Sequence, residues 1–311
     1  MLRGGNYMLK EIYDLLDHYS FFQDRNGYMI HEIQNYGRNS KFMITFQNEV
    51  YLVLVSKKRI QKYIPRLSKL GNDYKELIEF RYLSEDHNVL VLNYYGGIGG
   101  HDLSYFSKNQ TPVDSEQLSQ RLYNLIQSLH SKKSDYIDFD ENGTTWYEYI
   151  LYELTKTLDE SYHNKAITKI EYNKIMECIK LNRIYFEQVE TCYIHGDLTI
   201  VNICYNQDED KLYLIDYDDF TIGDPFFDFS RIMNFADESA ILKKFKEQYF
   251  PNIEDNIIHT IYTLRVTLNW YNFIIKRNLT YDLPVLEIRD LMEKVNLFLN
   301  KSIHSIESNR E

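Results

Sequence analysis

The hydrophobic period of this chain changes partway along, and that change restricts its fold more than any other feature. Over residues 28–56, "YMIHEIQ", "KFMITF" and "VYLVLV" are short runs rich in β-branched, aromatic and other apolar residues and read as three strands, separated by "NYGRNS" and "QNE". "LIEFRYL" and "NVLVLNYY" add a hairpin across "SEDH". Around these strands, Leu9, Ile12, Leu15, Leu16 and Tyr19 predict an amphipathic helix over 8–20, and a second covers roughly 57–70, broken by Pro65. Beyond "GGIGG" at 96–100 the spacing turns helical. "DSEQLSQRLYNLIQSLHS" carries a cap at Asp114 or Ser115 and apolar Leu118, Leu122, Leu125, Ile126 and Leu129. Further helices are predicted over 144–160, 165–188, 239–249, 253–277 and 284–300, the last opened by Pro284. The expected class is α+β: residues 1–95 form a small antiparallel five-stranded lobe, and residues 96–311 a larger, mainly helical lobe. The glycine run follows a strand without matching G-x-G-x-x-G, and no βαβ unit follows it, so it reads as a hinge rather than a phosphate loop.

Composition narrows the partners. Lys and Arg total 35 against 46 Asp and Glu, a net charge of −11, which argues against binding a nucleic-acid backbone and biases the surface toward cationic ligands. Cys178, Cys192 and Cys204 form no C-x-x-C pair, so neither a disulfide framework nor a zinc site is expected, and a cytoplasmic location fits. No run approaches the ~20 apolar residues that span a bilayer. The 28 tyrosines, with many Asn, Lys and Ile, suit an AT-rich genome. "LRGG" before Met8 can be encoded by a purine-rich stretch like a bacterial ribosome-binding site, so Met8 is expected as the start and residues 1–7 as leader.

Chemistry concentrates in "CYIHGDLTIVNICYNQDEDKLYLIDYDD", residues 192–219. Its polar residues sit where a hairpin is expected, although sheets disfavour Asp and Asn and a buried carboxylate is costly unless paired or metal-bound. "VNICY" and "KLYLID" form the strands and "NQDED" the turn, which folds Asp216 back toward Asn202. One carboxylate and one amide oxygen make a sparse, hard donor set suited to Mg²⁺, which keeps waters and takes its remaining ligands from phosphates. Asp197, five residues before Asn202, is then placed to accept a proton from an attacking hydroxyl.

"HGDLTIVN" followed by "LIDYDDFTIGDPFFDFSRI" resembles the aminoglycoside phosphotransferase and choline kinase superfamily, whose three motif blocks occur here in order over 194–232. More weakly, "NYGRNSKFMI" resembles its nucleotide-loop strand pair, "VLVLNYYGG" its hinge strand and "LIQSLH" the helix after it. The resemblance implies a bilobal protein-kinase-like fold and an ATP- or GTP-dependent transfer of phosphate to a small-molecule alcohol. It implies Asp197 as catalytic base, His195 as the residue orienting the catalytic loop, Asn202 and Asp216 as Mg²⁺ ligands, and Gly37, Asn39 and Ser40 beside the nucleotide. Asp224 and Asp228 are expected to cap turns and tie the catalytic loop to the helical lobe. His195 also reads as a core histidine bonded to backbone.

The pattern has one gap. The family's third-strand Lys or Arg falls on Leu54, and "SKKRIQKYIPRLSKLG" supplies no partner Glu. Alternation puts Leu54, Ser56 and Lys58 on one face, so Lys58 is the candidate replacement. The gap also supports a second reading, a pseudokinase or nucleotide-binding regulator. A protein kinase is disfavoured because "DDFTIGDP" follows Asp216 with no room for an activation segment. For the acceptor, Asp218 and Asp219 read either as a solvated pair or as partners of a substrate ammonium. Trp270 and Tyr271 lie on a long helix, where some choline-kinase relatives carry cage aromatics; core packing is the alternative. Together with the acidic charge these features favour an amino alcohol or aminosugar.

Overall fold

The computed structural model describes residues 29–32, 40–46, 49–55, 80–83, 89–93, 100–108, 113–132 and 145–308. The helices expected over 8–20 and 57–70, the start at Met8, and Gly37, Asn39 and Lys58 lie outside the described residues. The chain divides into two compact units: Met1–Asp102 with Ile203–Phe220, and Leu103–Asn202 with Thr221–Glu311.

In the first unit, β1 (Met29–Glu32), β2 (Ser40–Phe46), β3 (Glu49–Val55), β4 (Phe80–Leu83) and β5 (Val89–Asn93) form the expected five-stranded antiparallel sheet, in the order β1-β2-β3-β5-β4. Alternation selects one face of it: Ile44 pairs with Tyr51 and Val53 with Val91, and all four are buried. Leu54 stands in β3 between Lys41 on β2 and Leu90 on β5.

A second sheet joins β6 (Gly100–Asp102), β8 (Ile203–Asn206) and β9 (Lys211–Leu214), with β8 in the middle. This revises the reading of two stretches. Gly100, the last residue of the glycine run, is a strand residue opposite Asn206. The polar hairpin, expected inside the helical lobe, belongs to the strand-rich unit. A three-residue strand beginning in glycine offers no period to read, so β6 left no trace in the pattern. The hairpin turn closes through Asn206, whose Oδ1 accepts from the backbone N–H groups of Asp208 (3.0 Å) and Glu209 (3.2 Å).

The second unit contains α1 (Leu103–Lys108), α2 (Ser115–His130), α3 (Trp146–His163), α4 (Lys169–Leu181), α5 (Arg183–Gln188), β7 (Cys192–Ile194), β10 (Thr221–Gly223), α6 (Pro225–Met233), α7 (Ala240–Tyr249), α8 (Ile257–Arg277) and α9 (Val285–Ser308). Short polar residues set the helix starts. Asp114 caps α2, and Thr145 and Thr168 form capping boxes with Glu148 and Glu171. The helix predicted over 165–188 is split at Asn182, whose side chain bonds back to the Cys178 carbonyl at 2.8 Å. The one predicted over 253–277 begins at Ile257, because Asn256 caps it by accepting from the Ile258 and His259 amides. Trp146, Leu154, Ile179, Tyr262, Leu268 and Val295 anchor one core shared by α3, α4, α8 and α9. Among the described residues no helix is long and apolar enough to cross a membrane.

Candidate active site

Strand β7 is buried throughout and pairs with β10, so it delivers the next three residues, His195, Gly196 and Asp197, from a fixed support. Gly196 turns the chain at φ 81°, a conformation open to glycine without a steric penalty. The turn is held by Asp228 in the first turn of α6. One carboxylate oxygen of Asp228 accepts from the His195 amide at 2.7 Å, and the other from the Gly196 amide at 2.9 Å. The first oxygen also lies 3.0 Å from His130 Nε2. An ionised carboxylate only accepts, so His130 donates through Nε2, leaving its buried Nδ1 without a protein partner. The Asp228 side chain is 0% exposed. Its desolvation is offset by three converging donors.

Helix α6 is itself fixed at its start. Asp224 caps it by accepting from the Phe226 amide at 2.8 Å, and also accepts from the hydroxyls of Tyr185 (2.9 Å) and Tyr262 (2.7 Å). Trp146 Nε1 donates to the Tyr262 oxygen at 2.8 Å. Burial pushes the Asp224 carboxyl above its usual range, with the three donors acting in the opposite direction. Both acids of "GDPFFDF" therefore have the structural roles expected of them.

His195 is fully buried, and its Nδ1 accepts the Asp197 amide at 3.4 Å. The Asp197 side chain is 36% exposed, so a solute reaches it. Arg231 grips one of its carboxylate oxygens, Oδ1, through Nε (3.1 Å) and Nη2 (2.8 Å). Asn202, in a short 3-10 turn over Ile200–Asn202, donates Nδ2 to the Asp197 carbonyl at 2.8 Å and to Oδ2 at 3.2 Å. Both partners of that nitrogen are pure acceptors. The orientation of the amide is thereby set, with Oδ1 of Asn202 as its remaining acceptor.

Asp216 takes a left-handed conformation, φ 64° and ψ 62°, just before a 3-10 turn over Tyr217–Asp219. A non-glycine residue there costs about 1 kcal/mol or more, the kind of strain that collects at functional sites. The hairpin ladder ends with Ile203 opposite Leu214; Asn202 precedes that pair by one residue and Asp216 follows it by two. Among the described residues no group of three or more His, Cys, Asp or Glu comes together as a metal cage. Asn202 belongs to the second unit and Asp216 to the first, and each carries a hard oxygen of the kind that suits Mg²⁺. Asp219, the last residue of this turn, is exposed.

Trp270 and Tyr271 do not act as a pair. Successive residues on a helix diverge by about 100°. Tyr271 is 7% exposed, a core residue bonded to the Asn164 carbonyl, whereas Trp270 is 43% exposed and stacks on Phe273 at 5.5 Å. Tyr271 is therefore corrected to a packing residue. Cys178, Cys192 and Cys204 are free and buried, and desolvation pushes each thiol up to about 12, which removes them as nucleophiles.

The sequence reading overlooked Arg231 and His130. A signal for the first existed, since Arg231 follows Asp228 by three residues and so lies on the same helical face. If Asp228 holds residues 195 and 196, the side chain one turn later reaches 197.

A model of the phosphotransferase enzyme family, APH, matches residues 48–255. No curated relative matches the chain. Among solved structures, choline kinase LicA from Streptococcus pneumoniae is similar at TM-score 0.62 and 15% identity, over 93% of this chain and 99% of that one. ADP-bound aminoglycoside phosphotransferase APH(2'')-Ib is similar at 0.60 and 19% identity, over 92% and 96%. A choline/ethanolamine kinase family protein from Mesorhizobium loti is similar at 0.61 and 11% identity, over 93% and 94%. At these identities the likeness is one of fold.

Proposed function

The chain belongs to the phosphotransferase enzyme family, and from that premise we propose that it moves the γ-phosphate of ATP or GTP to a hydroxyl of a small cationic alcohol. The observation that carries this reading is the Asp197 carboxylate. It is open to solute, gripped by Arg231 and Asn202, and stands on a loop anchored by a buried acid.

In the proposed reaction the acceptor hydroxyl gives its proton to Asp197 as its oxygen bonds to the γ-phosphorus. The bond to the bridging oxygen breaks and the nucleoside diphosphate leaves. His195 orients the loop by accepting the Asp197 amide. Asn202 Oδ1 and the Asp216 carboxylate would hold Mg²⁺, which when bound neutralises charge on the phosphate oxygens. Gly37, Asn39 and Ser40, with Lys58 in place of a cation at Leu54, are assigned to the nucleotide. Asp218, Asp219 and Trp270 are assigned to a cationic acceptor, in keeping with the net charge of −11. Three reduced cysteines support a cytoplasmic location.

The test measures ATP and GTP consumption with Mg²⁺ against aminoglycosides, choline, ethanolamine, homoserine and simple sugars, with mass spectrometry for the added phosphate. A phosphorylated product that disappears in Asp197→Ala supports the kinase. Tight nucleotide binding with no transfer to any acceptor or to water favours the regulator instead, the reading that Leu54 in β3 recommends.

A further inference from the structure

Arg231 spends two of its donors, Nε and Nη2, on the same oxygen of Asp197. Charge-assisted bonds of this kind are about twice as strong as neutral ones, and here they fill both lone pairs of Oδ1. Among the described residues the other oxygen, Oδ2, receives only the 3.2 Å contact from Asn202. The two oxygens of one carboxylate are therefore not equivalent: one is saturated, the other retains capacity for an incoming proton.

The support behind Arg231 is rigid. Helix α6 is capped by Asp224, and Phe227, Phe229, Ile232 and Met233 on the same helix are buried. Asp228 lies one turn earlier and holds the preceding two residues of the loop. Loop and guanidinium are thus referred to one short helix. Charge points the same way: a bare carboxylate would repel an approaching polyphosphate, and a paired one does so far less.

We propose that Arg231 is a positioning residue for phosphotransfer, locking the Asp197 carboxylate through Oδ1 so that Oδ2 alone faces the acceptor hydroxyl. This rests on the reading of Asp197 as the base. Arg231 acts through Asp197 and does not bind the acceptor. A lysine preserves the charge but not the fixed two-donor fork, so it substitutes only in part.

The experiment compares wild type, Arg231→Gln, Arg231→Lys, Asp197→Asn and the Arg231→Gln/Asp197→Asn pair. It uses Mg·ATP with choline, gentamicin or water as acceptor and records kcat, each KM and the melting temperature. Misplacement of a catalytic group by an ångström costs on the order of 100-fold. Arg231→Gln should accordingly lower kcat by about 10- to 100-fold with both KM values nearly unchanged. Arg231→Lys should recover part of that loss, and the double variant should be no worse than Asp197→Asn. In ¹⁵N spectra the Arg231 Nε–H should exchange slowly in wild type and fast in Asp197→Asn. A raised acceptor KM with intact kcat would make Arg231 a substrate contact and overturn the proposal. So would unchanged kcat in Arg231→Gln, or fast Nε–H exchange in wild type. Should Arg231→Gln fail to fold, Arg231→Lys decides: full wild-type kcat there also overturns it. Inactive Asp197→Asn beside fully active Arg231→Gln defeats this proposal alone. Wild-type turnover in Asp197→Asn, or no ATP turnover by wild type, defeats the underlying reading as well.

Discussion

Asp228 accepts the backbone amide of His195 at 2.7 Å, across 33 residues of sequence, and so ties the His195–Asp197 loop to helix α6. Asp228→Asn keeps the volume but turns one acceptor into a donor facing an N–H group. A buried donor left without a partner costs about 1–3 kcal/mol. Urea denaturation should show a loss of that size, and phosphotransfer should fall because residues 195–197 lose their anchor. Unchanged stability would mean that the carboxylate is dispensable.

The Tyr262 hydroxyl joins Trp146 to Asp224, and all three residues are buried. Tyr262→Phe removes a donor from a buried carboxylate and an acceptor from an indole at once. The cost should exceed that of Tyr185→Phe, which loses a bond to the same carboxylate but is 38% exposed, so that water replaces the hydroxyl. The expected losses are about 2–4 kcal/mol and under about 1 kcal/mol. Equal losses in chemical denaturation would contradict the network.

Gly223 is required for closeness rather than for an unusual backbone. A Cβ there would stand 2.6 Å from Ile194 Cδ1 and 2.6 Å from the Trp146 ring. The isoleucine tip can yield, but the indole is held by its bond to Tyr262. Gly223→Ala should destabilise by about 1–3 kcal/mol. A smaller substitution at the obstacle, Trp146→Phe, should recover part of the loss in the double variant, which thermal melts would show.

His259 is almost fully buried, and desolvation lowers it from 6.5 to about 4, with Lys294 and Lys246 acting the same way and Glu254 opposing. Between these values the unfolded chain binds the proton and the folded chain does not. Stability should therefore fall as pH drops from about 6.5 to about 4, by roughly 3 kcal/mol for a shift of this size. His259→Leu should lack that slope. Subtracting the two denaturation series cancels Glu254, whose carboxyl is held at about 2 by Lys246 and Lys294. Parallel series would refute the assignment.

Long-period features were readable in the sequence because many residues repeat them. The five-stranded sheet, α2, α8 and the spacing of His195, Asp197 and Asn202 all follow from pattern. What escaped depends on a single contact or on very short elements. β6 has three residues and no period. Asn182 and Asn256 ended or started helices through one side-chain bond each, which a hydrophobic count ignores. Trp270 and Tyr271 looked like a pair because adjacency in sequence says nothing about which side of the helix meets the core. Arg231 had a signal only through Asp228, three residues earlier on the same helical face.

Helix α6 runs from Asp224 at its cap, through Asp228, to Arg231. Its function as a ruler makes length, not composition, the protected quantity. Removing or adding one residue between 228 and 231 would rotate the guanidinium by about 100° and shift it by about 1.5 Å along the axis, away from Asp197, while every motif letter survived. Homologous chains that share this clamp should accordingly accept many substitutions across this stretch and no gap within it.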